Sequence, residues 1–182
     1  GTEVLQVLFK FDAQGQLARA LNNLRSTDAE RSLDLVLDGG NDGQRPTADE
    51  YEGTDNETDS FKTGLKIFED IEDISIVAAP GSTFGYAGDY RADATTIMHL
   101  LISHAERMRY RIAVLDSGDG QSIADVRALR APLDSKYAAL YYPWVRILDP
   151  VTQREVYMPP SGFVTGIYAR NDITRAVYKA PA

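Results

Sequence analysis

One continuous stretch of sequence decides how this chain folds. It runs from Tyr90 to Asp116 and reads YRADATTIMHLLISHAERMRYRIAVLD. Up to Tyr110 the apolar side chains recur every three or four residues, which predicts an amphipathic helix. Directly after it, Arg111 to Asp116 supplies the apolar run Ile-Ala-Val-Leu, which is typical of a strand covered on both faces. The stretch therefore predicts a helix that leads into a buried strand.

The same alternation continues on both sides of this stretch. Upstream, the apolar run Ile74–Ala79 stops at Pro80-Gly81 and predicts another central strand. Downstream, residues 121–130 have the apolar face of a helix, and Tyr137–Leu148 is a third hydrophobic strand region. Parallel strands need helical crossovers of this kind. The sequence therefore predicts an α/β domain with helix-sheet-helix layers and a largely parallel mixed sheet.

The C-terminal part predicts a hairpin and a last helix. Asp149-Pro150 starts a turn, after which Arg154–Met158 can return as a short strand and add an antiparallel edge to the sheet. Pro159-Pro160-Ser161 then leads into a helix that begins the last segment. At the other end of the chain, strand, helix and strand are predicted over 4–11, 17–24 and 32–38.

Between Gly43 and Lys62 the sequence is acidic and shows no periodicity. Six carboxylates stand here against the single base Arg45. They are Asp49, Glu50, Glu52, Asp55, Glu57 and Asp59. Compact domains seldom carry a loop of this length without elements of its own. We therefore predict an acidic surface loop over 43–62, either mobile or used for docking.

Composition limits what the chain can do. Its 182 residues and 20.1 kDa suit a single domain spanning 1–182. A net charge of −8 disfavours binding to nucleic acid, and no apolar run is long enough for membrane insertion. The absence of cysteine excludes disulfides and thiolate metal sites.

Neither histidine fits a hydrolytic site. His99 and His104 are five residues apart on the predicted helix and share no face. His99 falls beside the apolar stripe, which favours a packed or boundary position. The sequence also lacks a Gly-x-Ser-x-Gly elbow. No catalytic, metal or cofactor-binding residue is predicted, and the alternative of an α/β hydrolase-like enzyme requires an imidazole beside a serine and a carboxylate.

Two other features leave binding open. Asp116-Ser117-Gly118-Asp119-Gly120 follows a strand and precedes a helix, where open α/β sheets bind ligands. Without a glycine-rich phosphate motif, a turn with a helix cap explains it better, and a small-ligand binding module remains an alternative. The aromatic cluster Tyr137, Tyr141, Tyr142 and Trp144 fits strand burial, although Tyr and Trp also anchor protein interfaces.

Several phrases, in order, resemble the bacteriophage contractile-tail sheath family. They are LDGGNDG (37–43), EDISIVAAPG (72–81), YAALYYPW (137–144) with Asp149-Pro150, PPSG (159–162), GIYARND (166–172) and KAPA (179–182). Together they span 37–182, and the last block is the most distinctive. The part that is matched is the family's central domain, which is called subtilisin-like for its topology alone.

The resemblance implies a structural protein and not an enzyme. Sheath subunits form stacked hexameric rings around a tail tube and contract to drive the tube through the host cell envelope. The implied partners are other copies of the subunit, the tail tube and the baseplate. The implied location is the virion tail, after synthesis in the cytoplasm of the host bacterium.

Family members begin before the first predicted strand and continue beyond the KAPA phrase. We therefore expect this chain to be a fragment of a longer protein, and to be monomeric alone because the linking arms would be missing. In an assembled sheath, the acidic loop would lie on the exterior or at a subunit contact, where charge helps to select the neighbour.

Overall fold

The computed structural model describes residues 40, 43–56 and 61–180. The elements predicted over 4–11, 17–24 and 32–38 lie outside this range. By its contacts the chain divides into two compact units, Gly1–Gln44 and Arg45–Ala182. All the elements described below belong to the second unit.

The elements of this unit follow one another in a mixed α/β order. They are α1 (Ala48–Glu52), β1 (Asp55–Asn56), β2 (Phe61–Lys62), α2 (Gly64–Ile67), a 3₁₀ turn (Phe68–Asp70), β3 (Ile76–Ala78), α3 (Arg91–Met108), β4 (Ile112–Asp116), α4 (Ile123–Arg130), β5 (Ala138–Tyr141), β6 (Val145–Leu148), β7 (Glu155–Met158) and α5 (Ser161–Thr174).

A parallel sheet of three strands forms the centre of the unit, in the order β3-β4-β5. Ala113 of β4 pairs with Val77 on one side and Ala138 on the other. In β4, Ala113, Val114 and Leu115 are at most 2% exposed, as expected for a strand covered on both faces. The predicted α/β class with parallel strands and helical crossovers is confirmed.

Helix α3 supplies much of the core. Its buried face consists of Ala94, Ile97, Met98, Leu101, Ile102, His104 and Ala105. Burying a large apolar side chain of this kind contributes about 1.5–3 kcal/mol relative to leaving it exposed. The helix ends at Arg109, which has a φ of 66° in the left-handed region. The helix predicted over 90–110 is confirmed with slightly shorter bounds.

The C-terminal strands differ from the prediction in two respects. The region 137–148 contains two strands, β5 and β6, and Pro143, which has no backbone N–H to donate, lies between them. β6 pairs antiparallel with β7, but the two form a separate sheet and do not extend the parallel one. The antiparallel pairing is therefore confirmed, whereas its place at the edge of the main sheet is wrong.

The acidic segment 43–62 is more regular than predicted. Helix α1 begins with a capping box, in which the Glu50 carboxylate accepts from the Thr47 backbone N–H at 2.7 Å. The Ala48 N–H donates to the Asp93 carboxylate of α3 at 3.2 Å, and Ala48 is buried. The expectation of a segment without elements is wrong because local capping and one buried alanine stabilise a short helix.

None of the helices in the described part of the chain combines the length and apolar character needed to cross a membrane.

Candidate functional site

Three turns meet where the parallel strands end. β3, β4 and β5 run in the same direction, so the residues after Ala78, Asp116 and Tyr141 lie at one edge of the sheet. This carboxyl edge is where open α/β sheets hold ligands. The turn that the sequence singled out at 116–120 is part of it.

A buried carboxylate at this edge holds the last helix. Asp116 is 3% exposed and accepts from the backbone N–H and the hydroxyl of Ser161 at 2.7 and 2.6 Å. Burial raises the pKa of the Asp116 carboxyl, and the two bonds from Ser161 oppose that rise. Because Ser161 is the first residue of α5, Asp116 serves as a cap for that helix.

The carbonyl of Ser117, in the turn after β4, links that turn to the turns after β3 and β5. It accepts the hydroxyl of Thr83 at 2.9 Å and the indole N–H of Trp144 at 2.7 Å. These bonds fix the turn after β3 and the Trp144 ring relative to the end of β4. Nearby, the hydroxyls of Tyr141 and Tyr168 contact each other, and burial raises the pKa of Tyr141 to about 12.

A hollow of about 690 Å³ opens at this edge. We call it the aromatic hollow; it is lined by Phe84, Gly118, Asp119, Gly120, Gln121, Tyr142, Pro143, Trp144, Val156 and Tyr157. The ring centroids of Phe84 and Trp144 are 6.3 Å apart, with planes inclined by 38°. The volume falls within the range of about 300–1,000 Å³ that ligand sites occupy.

Glycine is required at the base of the aromatic hollow. A Cβ atom on Gly118 would lie 2.5 Å from Cγ of Tyr86. The Tyr86 N–H donates to Oδ1 of Asp119 at 2.9 Å, and the Gly118 N–H donates to Oε1 of Gln121 at 2.7 Å. These bonds hold the 118–121 turn in one conformation. The predicted turn is confirmed, whereas the cap of α4 is not among residues 116–120: it is Ser122, whose hydroxyl accepts from the Asp125 N–H at 3.3 Å. The aromatic hollow is an additional property of the same turn.

The two histidines do not join this edge. His104 is 1% exposed and lies within hydrogen-bond distance of Arg111, with 2.7 Å between His104 Nε2 and Arg111 Nη1. Arg111 precedes β4, whereas Ser117 follows it, so six residue steps along the strand separate them by about 20 Å. His99 is exposed, so its predicted packed or boundary position is wrong. In the described part of the chain, no serine hydroxyl bonds either imidazole.

Burial and the positive charges of Arg111 and Arg107 lower the pKa of His104, and Glu69 acts weakly in the opposite direction. The neutral imidazole can therefore accept from Arg111. The guanidinium also donates to the carbonyls of Ile74, at 3.1 Å, and of Ile71. This cluster satisfies a buried cation.

The six predicted interface carboxylates are divided between several places. Asp49, Glu50 and Glu52 lie in α1, and Asp55 lies in β1 with its carboxylate 3.5 Å from the Lys62 ammonium. All four are exposed. Glu57 and Asp59 lie outside the described residues. Within the described ranges, no cluster of acidic residues and histidines is arranged to hold a metal ion.

No family model and no curated protein matches the chain. Solved structures are similar over part of it, among them the following two. The cryo-EM structure of the anti-feeding prophage helical sheath in the contracted state is 26% identical, with 64% of this chain and 28% of that chain covered and a TM-score of 0.44. The six-fold symmetrised baseplate of the anti-feeding prophage is 23% identical, with 64% and 27% covered and a TM-score of 0.45. The chain thus spans about a quarter of the length of these neighbours.

Proposed function

We propose that this chain is part of a structural subunit of a contractile-tail sheath. The observation that carries the proposal is that the segment with the most distinctive sheath-like sequence also exposes large apolar side chains. The most distinctive of the sheath-like phrases, at 159–182, forms α5 and the residues after it. Large apolar side chains are exposed along this segment, namely Phe163, Ile167, Ile173, Val177 and Tyr178. A neighbouring subunit would cover these exposed side chains.

The chemistry of the described residues agrees with a structural role. Asp116 bonds Ser161 and Arg111 bonds the carbonyl of Ile74, so these two buried groups hold a helix and a loop to the sheet. Nδ1 of His104 and the hydroxyl of Ser117 are buried without a hydrogen-bond partner in the described part of the chain.

The proposal extends to the assembly. Copies of the subunit form stacked hexameric rings around a tail tube, connect to a baseplate, and contract to drive the tube through the host envelope. Contraction of this kind exchanges one packing of rigid domains for another. The subunit is made in the cytoplasm of the host bacterium and functions in the tail.

Immunogold electron microscopy tests the proposal. Antibody raised against this chain is applied to tailed particles from the source, before and after contraction. We expect regular decoration along the tail shaft, with the decorated length shortening when the tail contracts. Labelled particles with bare shafts would contradict the sheath assignment.

The acidic residues supply a second test. We propose that Asp49, Glu50, Glu52, Asp55, Glu57 and Asp59 lie on the sheath exterior or at a subunit contact. Replacing them by the corresponding amides in the full-length subunit should change the salt dependence of polymerisation, because exposed charges act within a Debye length of about 8–10 Å. Polymerisation with the same rate and salt dependence would contradict this role.

A further inference from the structure

We infer that the aromatic hollow binds an arginine side chain presented by another protein. This inference rests on residues that the proposed sheath function does not use. It would stand or fall separately from that function.

The rings of the aromatic hollow favour a cation. Phe84, Tyr142, Trp144 and Tyr157 line it, and the negative face of an aromatic ring attracts positive charge. Phe84 and Trp144 form an open wedge, with planes inclined by 38°. A planar guanidinium can stack on either ring, which a compact ammonium group cannot do.

One carboxylate in the aromatic hollow lacks a counter-charge. Asp119 uses Oδ1 to accept from the Tyr86 N–H, and its Oδ2 has no hydrogen-bond partner among the described residues. Arg91 lines the adjoining polar hollow together with Asp119, yet its guanidinium lies over the Tyr86 ring at 5.3 Å. No ion pair to Asp119 forms in the described part of the chain. The same carboxylate would repel a phosphate or carboxylate ligand.

The Trp144 ring is already held in place for such an occupant. Its indole N–H donates to the Ser117 carbonyl, which Thr83 also engages. A ring that is fixed before binding loses little rotamer entropy on binding, and this increases affinity. Gln121 is fixed in the same way by the Gly118 N–H.

The exposure of the rings at the rim favours a protein side chain over a free small molecule as the occupant of the aromatic hollow. Small-molecule sites usually enclose about 70–90% of their ligand. Here Tyr157 is 66% exposed and Phe84 is 60% exposed, so the rim is open. A partner protein would cover these rings with its own surface while its arginine enters the wedge. The net charge of −8 favours the approach of a basic partner.

Trp144 provides a direct measurement, because it is the only tryptophan in the chain. The probe is a blocked Gly-Arg-Gly-Gly peptide, titrated against the 182-residue chain by Trp144 fluorescence and, in parallel, by isothermal calorimetry. We expect saturable binding, and about tenfold weaker binding of the same peptide with neutral citrulline in place of arginine. Calorimetry detects binding even if the fluorescence of the ring does not change.

The matched variants are Asp119→Asn and Asp172→Asn. The first variant keeps the side-chain oxygen that accepts from the Tyr86 N–H and loses the charge, so the arginine peptide should bind to it as weakly as the citrulline peptide binds to the parent chain. Asp172 is exposed on α5 and does not line the aromatic hollow, so its variant should bind like the parent chain.

Three outcomes would overturn the inference. They are no saturable binding of the arginine peptide in calorimetry, equal binding of the arginine and citrulline peptides, and unchanged affinity in Asp119→Asn. Methylguanidinium is the remaining probe. If it binds as tightly as the peptide, the aromatic hollow is a site for small cations and the protein partner is rejected.

Discussion

The two ends of strand β4 stabilise buried charge in different ways. At the amino end, Arg111 is 2% exposed and relies on two backbone carbonyls and the imidazole of His104. At the carboxyl end, Asp116 is 3% exposed and relies on the N–H and hydroxyl of Ser161. Neither residue has an oppositely charged partner among the described residues. One strand therefore carries two buried ions that neutral dipoles satisfy, and each end should have its own response to mutation and pH.

Removing the cation should have the largest effect. Arg111→Met leaves the carbonyls of Ile71 and Ile74 and the imidazole of His104 without their donor. A buried group left unpaired costs about 1–3 kcal/mol, and the bonds to Ile71 and Ile74 are only partly buried, so for the three groups together we expect the free energy of unfolding to fall by about 3–5 kcal/mol. Urea denaturation followed by circular dichroism measures the loss. The exposed Arg170→Met is the control, and a loss below about 1 kcal/mol in Arg111→Met would show that the cation is dispensable.

Removing the Asp116 carboxylate should lower the free energy of unfolding by less than removing Arg111. Asp116→Ala leaves the first turn of α5 without its cap, for an expected loss of about 2 kcal/mol at neutral pH. Asp116→Asn keeps an acceptor and avoids burying a charge, so it should cost less than Asp116→Ala. Equal losses in the two variants would mean that the cap requires the full charge.

The raised pKa of Asp116 fixes the sign of its pH dependence. Below the unfolded value of 3.8 the carboxyl is protonated in both states and contributes its full stability, which is lost as pH rises through the folded pKa. The stability of Asp116→Asn relative to the parent should therefore increase from pH 3.8 upward and then level off. Unfolding curves recorded at several pH values measure this difference. A difference that stays constant with pH would contradict the raised pKa.

The amino end should respond to pH in the opposite sense. Burial and Arg111 lower the pKa of His104, so stability is complete above the unfolded value of 6.5 and decreases as pH falls toward the folded pKa. His104→Gln retains an acceptor for Arg111 and should reduce the slope between about pH 7 and 5 by at most about 1.4 kcal/mol per pH unit. His99→Gln, the same substitution at an exposed position, is the matched control. An identical slope in all three proteins would contradict the neutral imidazole.

Coupling between the two ends should be the smallest effect. They are about 16 Å apart along the strand and share no partner, so the losses in Arg111→Met and Asp116→Asn should add to within about 0.5 kcal/mol in the double variant. A double-mutant cycle by urea denaturation tests this. A larger coupling energy would indicate that the two charges interact through the strand.

The regular parts of this fold were predictable because their patterns are long. Helix α3 and strand β4 follow directly from the apolar spacing of Tyr90–Asp116. The burial of His104 also had a signal, since it lies seven residues after Ile97 and three after Leu101, on the buried face of the helix. Thr47 and Glu50, three residues apart, were the signal for α1 within the acidic segment.

Other features were not predictable from spacing. Arginine is seldom fully buried, and nothing next to Arg111 in the sequence indicates that the carbonyls of Ile71 and Ile74 will meet it. The aromatic hollow brings Phe84 beside Trp144 from a turn sixty positions upstream, and only the parallel alignment of the strands makes them neighbours. The segment 137–148 is apolar except for Arg146, so Pro143 is the sequence signal for the division into β5 and β6.

The Ser117 carbonyl is a mechanical joint as well as a hydrogen-bond acceptor. A pulling force that separated the ends of β4 and β5 would have to break the bond from Trp144, and one that separated β3 from β4 would have to break the bond from Thr83. Both loads therefore act on this oxygen atom, while the Ser117 N–H, which donates to the Tyr141 carbonyl at 3.0 Å, also resists separation of β4 from β5. Occupancy of the aromatic hollow and the force needed to open this edge of the sheet would then be linked quantities, each of which changes the other.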